Sequence, residues 1–572
     1  MTLQPTTDTP ASRGTSSRTL PRAFGWLAAS VKRRCRYTLP GLSVALAFAC
    51  LSFTPSLLPR PAAFQGAIAG IDAAIGYGLG VLGAWVWREF ADREPRRPST
   101  RSWQVLAAVS VTTLLASVVL GQRWQRQSSE LVGIPAESPV AAVLIPCVAL
   151  ILFVTLLALS RAVRSAYRRL SAVLERHMGA RAARATGLVF LTGTMVLVLS
   201  GVLWDAALSA ADRVFSVRDT LTPGNVVEPT TGLRSGGPGS LTSWDSLGRE
   251  GRVFVGRGPN AEDISAFTGA DAQEPIRVYS GYASADDTES RADLAVRDLA
   301  RAGGFDRSYL LVVTTTGTGW VEPSSVGSFE YLTGGDSAII SMQYSHLPSW
   351  LSFLVDQDRA REAGRELFDS VYGRWSRLPP DARPKLYVFG ESLGSFGGET
   401  AFSGEFDMAN RTSGALFVGA PNFNPLYRDF VDDRDRGSPE VEPVYRDGRT
   451  IRFSNHPRSD IPPEGRPWQG TRVLYMQHPS DLITWWSPDL ILNRPDWLSE
   501  PRGRDVLDST RWIPFVTFWQ VSADLALGFS TPAGHGHNFS GEHVDGWAAV
   551  LEPSGWTEEK AAELRQIIRP AE

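Results

Sequence analysis

Hydrophobic positions follow different patterns in the two parts of this 572-residue chain, and the change falls near residue 210. The first part contains long apolar stretches, each near the length of about 20 residues that a helix needs to cross a bilayer. These stretches lie at 39–58, 64–87, 103–120, 140–160 and 186–208. The pattern predicts a membrane domain of about five spans over residues 39–210, with buried helices of a soluble protein as the alternative.

Basic residues occur in every second segment between these stretches, as the positive-inside rule describes. They cluster before the first stretch, after the second and after the fourth, at Lys32, Arg33, Arg34, Arg36, Arg88, Arg93, Arg96, Arg97, Arg101, Arg161, Arg164, Arg168, Arg169, Arg176, Arg181 and Arg184. We therefore expect residues 1–38 to form a basic cytoplasmic segment of a multi-pass protein of the cell membrane. An odd number of spans would then bring everything after residue 210 to the outer face.

The second apolar stretch carries two pairs of glycines, each pair four residues apart: Gly66 with Gly70, and Gly76 with Gly80. Small residues at such intervals predict close packing against other helices of the bundle. Asp72 is the acidic residue of the same stretch. It is interpreted either as part of a polar path through the bundle or as a side chain that is hydrated or bonded to a neighbour.

The second part of the chain alternates short β-branched or aromatic runs with longer helical patterns. The runs lie at 276–282, 309–315, 338–344, 385–390, 414–420 and 472–478. This order predicts a mostly parallel sheet with helices on both faces over residues 276–572. Residues 211–275 are rich in Gly, Pro, Ser and Thr and are interpreted as a linker or as an irregular entry to the second domain. Segment 421–470 is long for a connection and predicts an insertion, either a lid over a site or a solvated acidic excursion.

Net charge separates the same two parts of the chain. Residues 1–210 carry 22 Lys and Arg against 9 Asp and Glu, a net charge of +13, whereas the remainder has a net charge of −16. The acidic second part argues against a nucleic-acid partner. All three cysteines, Cys35, Cys50 and Cys147, lie in the first part, so the second part has neither a disulfide framework nor a thiol site.

A serine between glycines is the strongest chemical signal. "GESLG", residues 390–394, ends the apolar run 385–390 and precedes the small residues of "SFGGETAF". A G-x-S-x-G turn between a strand and a helix presents its serine on a strained backbone, and the glycines relieve the crowding there. Ser392 is therefore the candidate nucleophile, with an ordinary serine in a turn as the alternative. Glu391 is interpreted as the variable position of the motif.

A serine nucleophile needs a histidine to take its proton and a carboxylate to orient that histidine. Asp481 directly follows the late run 472–478 and is the candidate acid, with a turn-forming aspartate as the alternative. Asp460 and Asp489 are weaker candidates because neither directly follows a strong run.

The candidate base lies in the glycine-rich loop "PAGHGHNF" near the carboxyl end. We favour His537 over His535 because the residues that follow His537 can lead into a final helix, but the spacing leaves both open. A metal site formed by His535, His537 and His543 with Asp545 is a further alternative. The serine mechanism itself needs no metal and no cofactor.

An oxyanion hole combines the amide after the nucleophile with an amide from the loop after an early strand. The first would come from Leu393. The second would come from the loop "TTTGTGW" that follows the run 309–315, where Thr316, Gly317 and Thr318 are the candidates. A plain glycine turn would have the same sequence.

Tryptophans accumulate between the candidate acid and the candidate base. They are Trp485, Trp486, Trp497, Trp512 and Trp519. Such residues could line an acyl pocket or lie at the bilayer surface, and ordinary core packing is the default interpretation of any one of them.

Several of these motifs occur together: "FTPSLLPR" at 53–60 with "TGTGW", "FGESLGS", "GAPNFNP", "HPSD" and "GHGH". This combination resembles a bacterial membrane-anchored α/β-hydrolase family that has an N-terminal multi-span region and a C-terminal catalytic domain. The resemblance covers nearly the whole chain. It implies an α-helical membrane bundle followed by an α/β-hydrolase domain, and it leaves the substrate open.

We therefore expect a membrane-anchored serine hydrolase, similar to esterases and lipases, that cleaves an ester through an acyl-enzyme. Its expected partners are the lipid bilayer and an ester substrate, with a lipid or cell-envelope ester as the class that membrane attachment favours. One alternative is an envelope-lipid acyltransferase, which would hydrolyse its donor when no acceptor is present. Another is a noncatalytic envelope or transport component in which the fold only binds a ligand.

Overall fold

The computed structural model describes residues 37–94, 97–200, 212–355, 357–460, 467–528 and 531–568. The basic residues predicted at 32–36 and Arg96 lie outside the described residues. So does the end of the fifth predicted span, 201–208.

The first part of the chain is helical. Its helices are α1 (Leu39–Leu51), α2 (Ala62–Phe90), α3 (Thr100–Val132), α4 (Leu144–Leu174) and α5 (Ala180–Ser200). Within the described residues, three helical segments are long and apolar enough to cross a membrane: Ala62–Phe90, Thr100–Val132 and Pro139–Leu174. Helix α1 has 13 residues and is shorter than a bilayer-spanning helix. Three spans, with α1 beside them, are consistent with membrane association.

The first predicted span, 39–58, is longer than the helix that forms there. Helix α1 ends at Leu51, and residues 52–60 form a loop between α1 and α2. Pro55 and Pro59 lie in this loop, and proline cannot donate the backbone hydrogen bond that a continuing helix requires. The apolar side chains after Leu51 are therefore buried by protein contacts outside a helix.

Close helix packing through glycine is confirmed in α2. A Cβ added at Gly66 or Gly70 would lie within 2.8 Å of carbonyl oxygens of α4, and one at Gly76 or Gly80 within 2.8 Å of carbonyl oxygens of α1. Only glycine allows backbones to approach so closely. Asp72 is fully buried in the same helix, and neither of its carboxylate oxygens has a hydrogen-bond partner among the described residues.

Parallel strands form a seven-stranded sheet in the second part, in the order β1-β3-β2-β4-β5-β7-β6. The strands are β1 (Ile276–Ser280), β2 (Tyr309–Thr314), β3 (Ser337–Met342), β4 (Lys385–Glu391), β5 (Gly414–Val418), β6 (Ile451–Ser454) and β7 (Arg472–Met476). Every strand except β6 coincides with a predicted run. The predicted parallel sheet is therefore confirmed.

Helices cover both faces of this sheet. The helices of this part include α6 (Gly248–Gly256), α7 (Ala261–Thr268), α8 (Thr288–Arg301), α9 (Pro323–Leu332), α10 (Ser349–Val355), α11 (Gln357–Trp375), α12 (Leu393–Glu399), α13 (Glu405–Arg411), α14 (Pro425–Asp432), α15 (Pro457–Asp460), α16 (Leu482–Trp485), α17 (Val516–Asp524), α18 (Glu542–Leu551) and α19 (Glu558–Ile568). One buried cluster joins the sheet to α8, α11, α12 and α14. A second cluster joins it to α6, α9 and α18 on the other face.

The predicted linker or entry segment, 211–275, and the predicted insertion, 421–470, both contribute to the packed domain. Within 211–275, α6 places Phe254 and Val255 in the core, and the buried side chain of Arg234 donates hydrogen bonds to backbone carbonyls around that helix. Within 421–470, α14 covers the sheet and β6 extends its edge beside β7. Neither segment is a plain linker or excursion, because each carries enough apolar side chains to pack on the sheet.

The candidate catalytic residues lie at the carboxyl ends of the strands. Ser392 follows β4, Asp481 follows β7, and the loop 315–320 follows β2. Because all the strands are parallel, these three positions come after their carboxyl ends, which is where open α/β sheets bind ligands.

Candidate active site

The backbone at Ser392 is a sharp turn between β4 and α12. Ser392 has φ 53° and ψ −126°, a conformation that a residue with a side chain rarely adopts and that costs about 1–3 kcal/mol. The glycines on either side are required by contact. A Cβ at Gly390 would overlap the carbonyl oxygen of Gly394, and a Cβ at Gly394 would overlap that of Thr314. The tight turn that carries Ser392 therefore requires glycine at both positions.

Hydrogen bonds hold this turn from both sides. The Ser392 N–H donates to the carbonyl of Val418 at 2.8 Å, which ties the turn to the end of β5. The Ser392 carbonyl accepts from the Ser395 N–H at 3.0 Å and from the Ser395 hydroxyl at 2.7 Å. The Ser392 side chain lies in the wall of a cavity of about 600 Å³. A strained serine is thus fixed in place and opens onto a space that can hold a substrate.

The candidate acid, Asp481, begins the short helix α16 and is completely buried. One carboxylate oxygen accepts from the Ile483 N–H at 2.8 Å. The other oxygen lies 2.8 Å from Nδ1 of His537. Since the helix start orients the first oxygen, the second is fixed toward the imidazole.

His537 lines the same cavity as Ser392. Its N–H donates to the Gly528 carbonyl at 3.3 Å, and its ring meets the ring of Phe539 edge-on. Gly419 has φ 56° and leaves room for the imidazole, because a Cβ there would overlap the ring. Burial opposes the charged imidazole, but the charge and hydrogen bond of Asp481 and the charge of Glu391 outweigh it, so the pKa of His537 is raised.

His535 has a different carboxylate partner from His537. Its Nδ1 lies 3.1 Å from Asp505, which also accepts from the hydroxyl of Ser480 at 2.5 Å. The same Ser480 oxygen accepts from the Gly536 N–H at 2.8 Å. His535 therefore anchors the loop next to His537 and does not line the cavity that Ser392 and His537 share.

A second buried pair also supports this loop. His478 is hydrogen-bonded through Nδ1 to the Gly536 carbonyl at 2.9 Å and through Nε2 to Glu542 at 2.6 Å. Its ring stacks on Phe539 at 4.0 Å. Burial disfavours the charged ring, yet the carboxylate of Glu542 leaves the pKa of His478 raised. The chain directly before His537 is thus held by two histidine–carboxylate pairs.

Sequence reasoning missed a group of ionisable side chains in the cavity wall. Nε2 of His543 lies 2.9 Å from Glu391, and its Nδ1 lies 3.0 Å from the hydroxyl of Ser324. That hydroxyl donates to Glu322 at 2.5 Å. All four residues line the cavity that holds Ser392. Glu391, interpreted from sequence as a variable position, is therefore part of a polar network beside the serine.

These contacts shift the proton affinities of the network. Burial alone would lower the pKa of His543, but its hydrogen bond to Glu391 and the charges of nearby carboxylates raise it. Burial, followed by the charge of Glu391, raises the pKa of Glu322. No sequence motif joins Glu391 to His543, because 152 residues separate them.

The predicted oxyanion residues have distinct environments. Leu393 is the first residue of α12, and the amide of a first helical residue has no partner inside the helix. The Thr316 N–H donates to the Trp320 carbonyl at 3.2 Å, so that amide is already used within its loop. The backbone of Gly317 packs against the carbonyl of Leu347.

Thr316 and Thr318 of the same loop lie at cavities. Thr316 is in the wall of the Ser392 cavity, and its hydroxyl has no hydrogen-bond partner among the described residues. Thr318 lines an adjoining cavity that shares Thr316, Trp320 and Ser349 with the first. The loop after β2 therefore borders the space in front of Ser392.

Comparisons with known proteins agree with this architecture. A model of an alpha/beta-hydrolase family matches residues 276–564, and a model of the N-terminus of an alpha/beta-hydrolase family matches residues 53–259. Searches of curated proteins and of solved structures found no match. The first match covers the whole parallel sheet with Ser392, Asp481 and His537, and the second covers the helices α2 to α6. The chain belongs to the alpha/beta-hydrolase family.

Proposed function

We propose that this protein is a membrane-attached serine hydrolase that cleaves an ester through an acyl-enzyme. The observation that carries the proposal is the shared cavity, which both Ser392 on its strained turn and His537, held 2.8 Å from Asp481, line. This set of residues is the minimum that activates a serine hydroxyl near neutral pH.

The reaction begins when Ser392 Oγ attacks the ester carbonyl carbon and its proton passes to Nε2 of His537. Asp481 keeps the other ring proton on Nδ1 and stabilises the imidazolium that forms. The carbonyl oxygen becomes an oxyanion, for which the Leu393 amide at the start of α12 is the donor. The loop after β2 supplies the second donor, with Gly317 and Thr318 as candidates because the Thr316 amide is bonded within the loop.

Collapse of this intermediate breaks the bond to the alcohol, which leaves with the proton of His537. Water then gives a proton to His537 and attacks the acyl-enzyme, and Ser392 recovers its proton when the acid is released. Every step uses side chains of this chain and water. The raised pKa of His537 favours the first of these roles, because an imidazole with a higher pKa takes the proton of Ser392 more readily.

The substrate class that we propose is an ester of a membrane or cell-envelope lipid. Helices able to cross a bilayer precede the hydrolase domain in the same chain. Such attachment raises the effective concentration of the enzyme near esters that reside in the bilayer.

We also propose that the hydrolase domain lies on the outer face of the membrane. The 52–60 loop and Ile134 contact that domain, which brings one end of α1, α2 and α3 to it. The arginine-rich connections around Arg93 and Arg176 belong to the opposite helix ends. By the positive-inside rule the arginine-rich ends are cytoplasmic, which supports this orientation.

A fluorophosphonate probe tests the proposal, because it reacts with activated serines. Full-length protein in membranes should be labelled, and the Ser392→Ala variant, expressed to the same level and folded, should not be. An accessible, folded wild type that stays unlabelled and hydrolyses no acyl ester would refute the serine-hydrolase proposal.

A further inference from the structure

The loop between the first two helices of the membrane domain penetrates the hydrolase domain. We call residues 52–60 the docking loop. The side chains of Leu57 and Leu58 are 1% and 2% exposed. They belong to one buried apolar cluster with residues from around the candidate acid and from α17: Leu482, Ile483, Trp485, Leu490, Trp497, Leu498, Val506 and Val521. The tryptophans at 485 and 497 are thus core residues of this junction.

Buried polar contacts fix the same junction. Asp524, at the end of α17, accepts from the hydroxyl of Ser56 at 2.5 Å and lies 3.9 Å from Nε of Arg60. The side chains of Arg60 and Asp524 are both fully buried. One turn earlier in α17, Gln520 donates to the carbonyls of Ser52 at 3.2 Å and Thr54 at 2.8 Å. A flexible tether would not bury an ion pair of this kind, since each charge leaves water.

The elements that contact the docking loop also hold both members of the histidine–carboxylate pair. Leu482 and Ile483 directly follow Asp481, and the Ile483 N–H is the donor that orients the Asp481 carboxylate. Helix α17 leads to Gly528, whose carbonyl accepts from the His537 N–H at 3.3 Å. Leu482 packs directly on Gly528, so that a Cβ there would overlap it. The cluster thus connects the loop to Asp481 and to His537 by two short routes.

We propose that the docking loop of the membrane domain positions the Asp481–His537 pair, so that the membrane domain is a structural part of the active site and more than an anchor. The positioning of Asp481 and His537 by the docking loop does not depend on the proposed function; only its effect on catalysis does. Leu57, Leu58, Ser56 and Arg60 are positioning residues, since they act through Leu482, Ile483 and Asp524.

The test compares two leucine truncations in the full-length protein in lipid nanodiscs. Leu58→Ala removes a buried side chain from the docking loop. Leu299→Ala removes an equally buried leucine from α8, which packs on β1 and β3 at the far edge of the sheet. The first readout is the pKa of His537, measured by hydrogen–deuterium exchange at the imidazole C2 position with mass spectrometry. The second readout is the rate of fluorophosphonate labelling as a function of pH.

We expect Leu58→Ala to lower the pKa of His537 by about one unit, because a loosened Asp481 carboxylate stabilises the imidazolium less. Glu391 and His478 also act on this ring and are unchanged by the substitution. Fluorophosphonate labelling of Leu58→Ala should slow together with this fall in pKa. The conservative variant Leu58→Met should restore the pKa of His537 and the labelling rate. Leu299→Ala should leave the pKa and the labelling rate at the wild-type values. Equal pKa values and labelling profiles for Leu58→Ala and Leu299→Ala would overturn the proposal.

Two further measurements keep the outcome decisive. If Leu58→Ala does not fold, Asp524→Asn removes the charge opposite Arg60 while keeping an acceptor for Ser56, and the same shift of the His537 pKa is expected. An unchanged pKa in folded Asp524→Asn would then count against positioning by the loop. If wild-type protein is not labelled, the serine-hydrolase proposal fails, and the pKa comparison still decides the positioning role.

Discussion

Replacing Asp481 with asparagine removes one buried charge and one hydrogen-bond acceptor of His537. The side chain keeps its shape and can still accept from the Ile483 N–H, but the negative charge 2.8 Å from Nδ1 of His537 is lost. The new amide can donate to Nδ1, which moves the ring proton to Nε2. That nitrogen must be free of a proton to act as a base toward Ser392, so we expect labelling to fall although the serine is intact.

The size of the effect follows from this distance. At 2.8 Å, two unit charges in an effective dielectric of about 20 attract by about 6 kcal/mol, equivalent to about four pKa units. Burial of the imidazole is the same in Asp481→Asn, so loss of this attraction should lower the pKa of His537. The move of the ring proton from Nδ1 to Nε2 should reduce the rate more than the lowered pKa does. In related triads this change of tautomer reduces turnover by about 10⁴-fold.

The assay is the rate of fluorophosphonate labelling between acidic and alkaline pH. Only the neutral imidazole is a base, so the wild-type rate should rise with pH through the raised pKa of His537 and then stay constant. In Asp481→Asn the constant labelling rate at high pH should be far lower than in the wild type, and the rate should begin to rise at a lower pH.

The chain supplies a matched control in Asp505, a second buried aspartate that is bonded to a histidine of the same loop. Asp505→Asn should keep the midpoint of the wild-type profile, because His535 is not in the cavity wall. The assignment of the pair is refuted if Asp505→Asn loses labelling as Asp481→Asn does, or if Asp481→Asn is labelled at the wild-type rate.

Three further predictions address the turn, the polar network and the orientation. Gly394→Ala should abolish labelling and lower the free energy of unfolding by about 1–3 kcal/mol in urea titrations, because its Cβ overlaps the Thr314 carbonyl oxygen; a labelled, equally stable variant would contradict this. Glu391→Gln removes a charge that raises the pKa of His537, so the rise of the labelling profile should move to lower pH with little change in plateau; an unmoved midpoint would exclude that influence. A periplasmic or extracellular reporter fused after residue 568 should be active and a cytoplasmic one inactive if the hydrolase domain faces outward, and the reverse result would refute the orientation.

Stability should also depend on pH through Glu399, which is buried at the end of α12. Burial raises its pKa from 4.5 to about 8, despite hydrogen bonds from Tyr475 and the Leu426 amide. A carboxyl whose folded pKa is raised stabilises the fold below its unfolded pKa, and this contribution is lost as pH rises from about 4.5 toward 8. The isosteric Glu399→Gln should therefore match the wild type in thermal unfolding near pH 4 and be more stable near pH 9. An equal difference at both pH values would show that the ionisation of Glu399 is not responsible.

The parts of the fold that sequence predicted are those encoded locally. Six strands were found from runs of β-branched and aromatic residues, because a strand buried on both faces is continuously apolar. The turn at Ser392 was found because its two glycines are forced by contacts within five residues of the serine or with the adjacent strand. Strand β6 was missed because it is only four residues long and includes Arg452.

The parts that sequence could not predict depend on distant partners. His535 and His537 are separated by one glycine, and what distinguishes them is that one meets Asp505 and the other Asp481. Nothing near either histidine encodes that difference. Likewise, Glu391 gains its place in the cavity wall from His543, which α18 brings to the end of β4.

The docking loop shows a more general ambiguity of apolar sequence. Hydropathy predicts that a side chain is buried away from water, but it does not distinguish burial in lipid from burial in protein. Leu57 and Leu58 extended the first predicted span, yet they are buried in a cluster with residues that follow the candidate acid. The signal that separates the two cases is backbone chemistry. A membrane-spanning helix satisfies its backbone groups internally, whereas Pro55 and Pro59 have no N–H to donate to the carbonyl four residues earlier. An apolar run interrupted by closely spaced prolines at the end of a span is therefore better interpreted as a loop that docks into a neighbouring domain, and here it docks beside the pair that would activate Ser392.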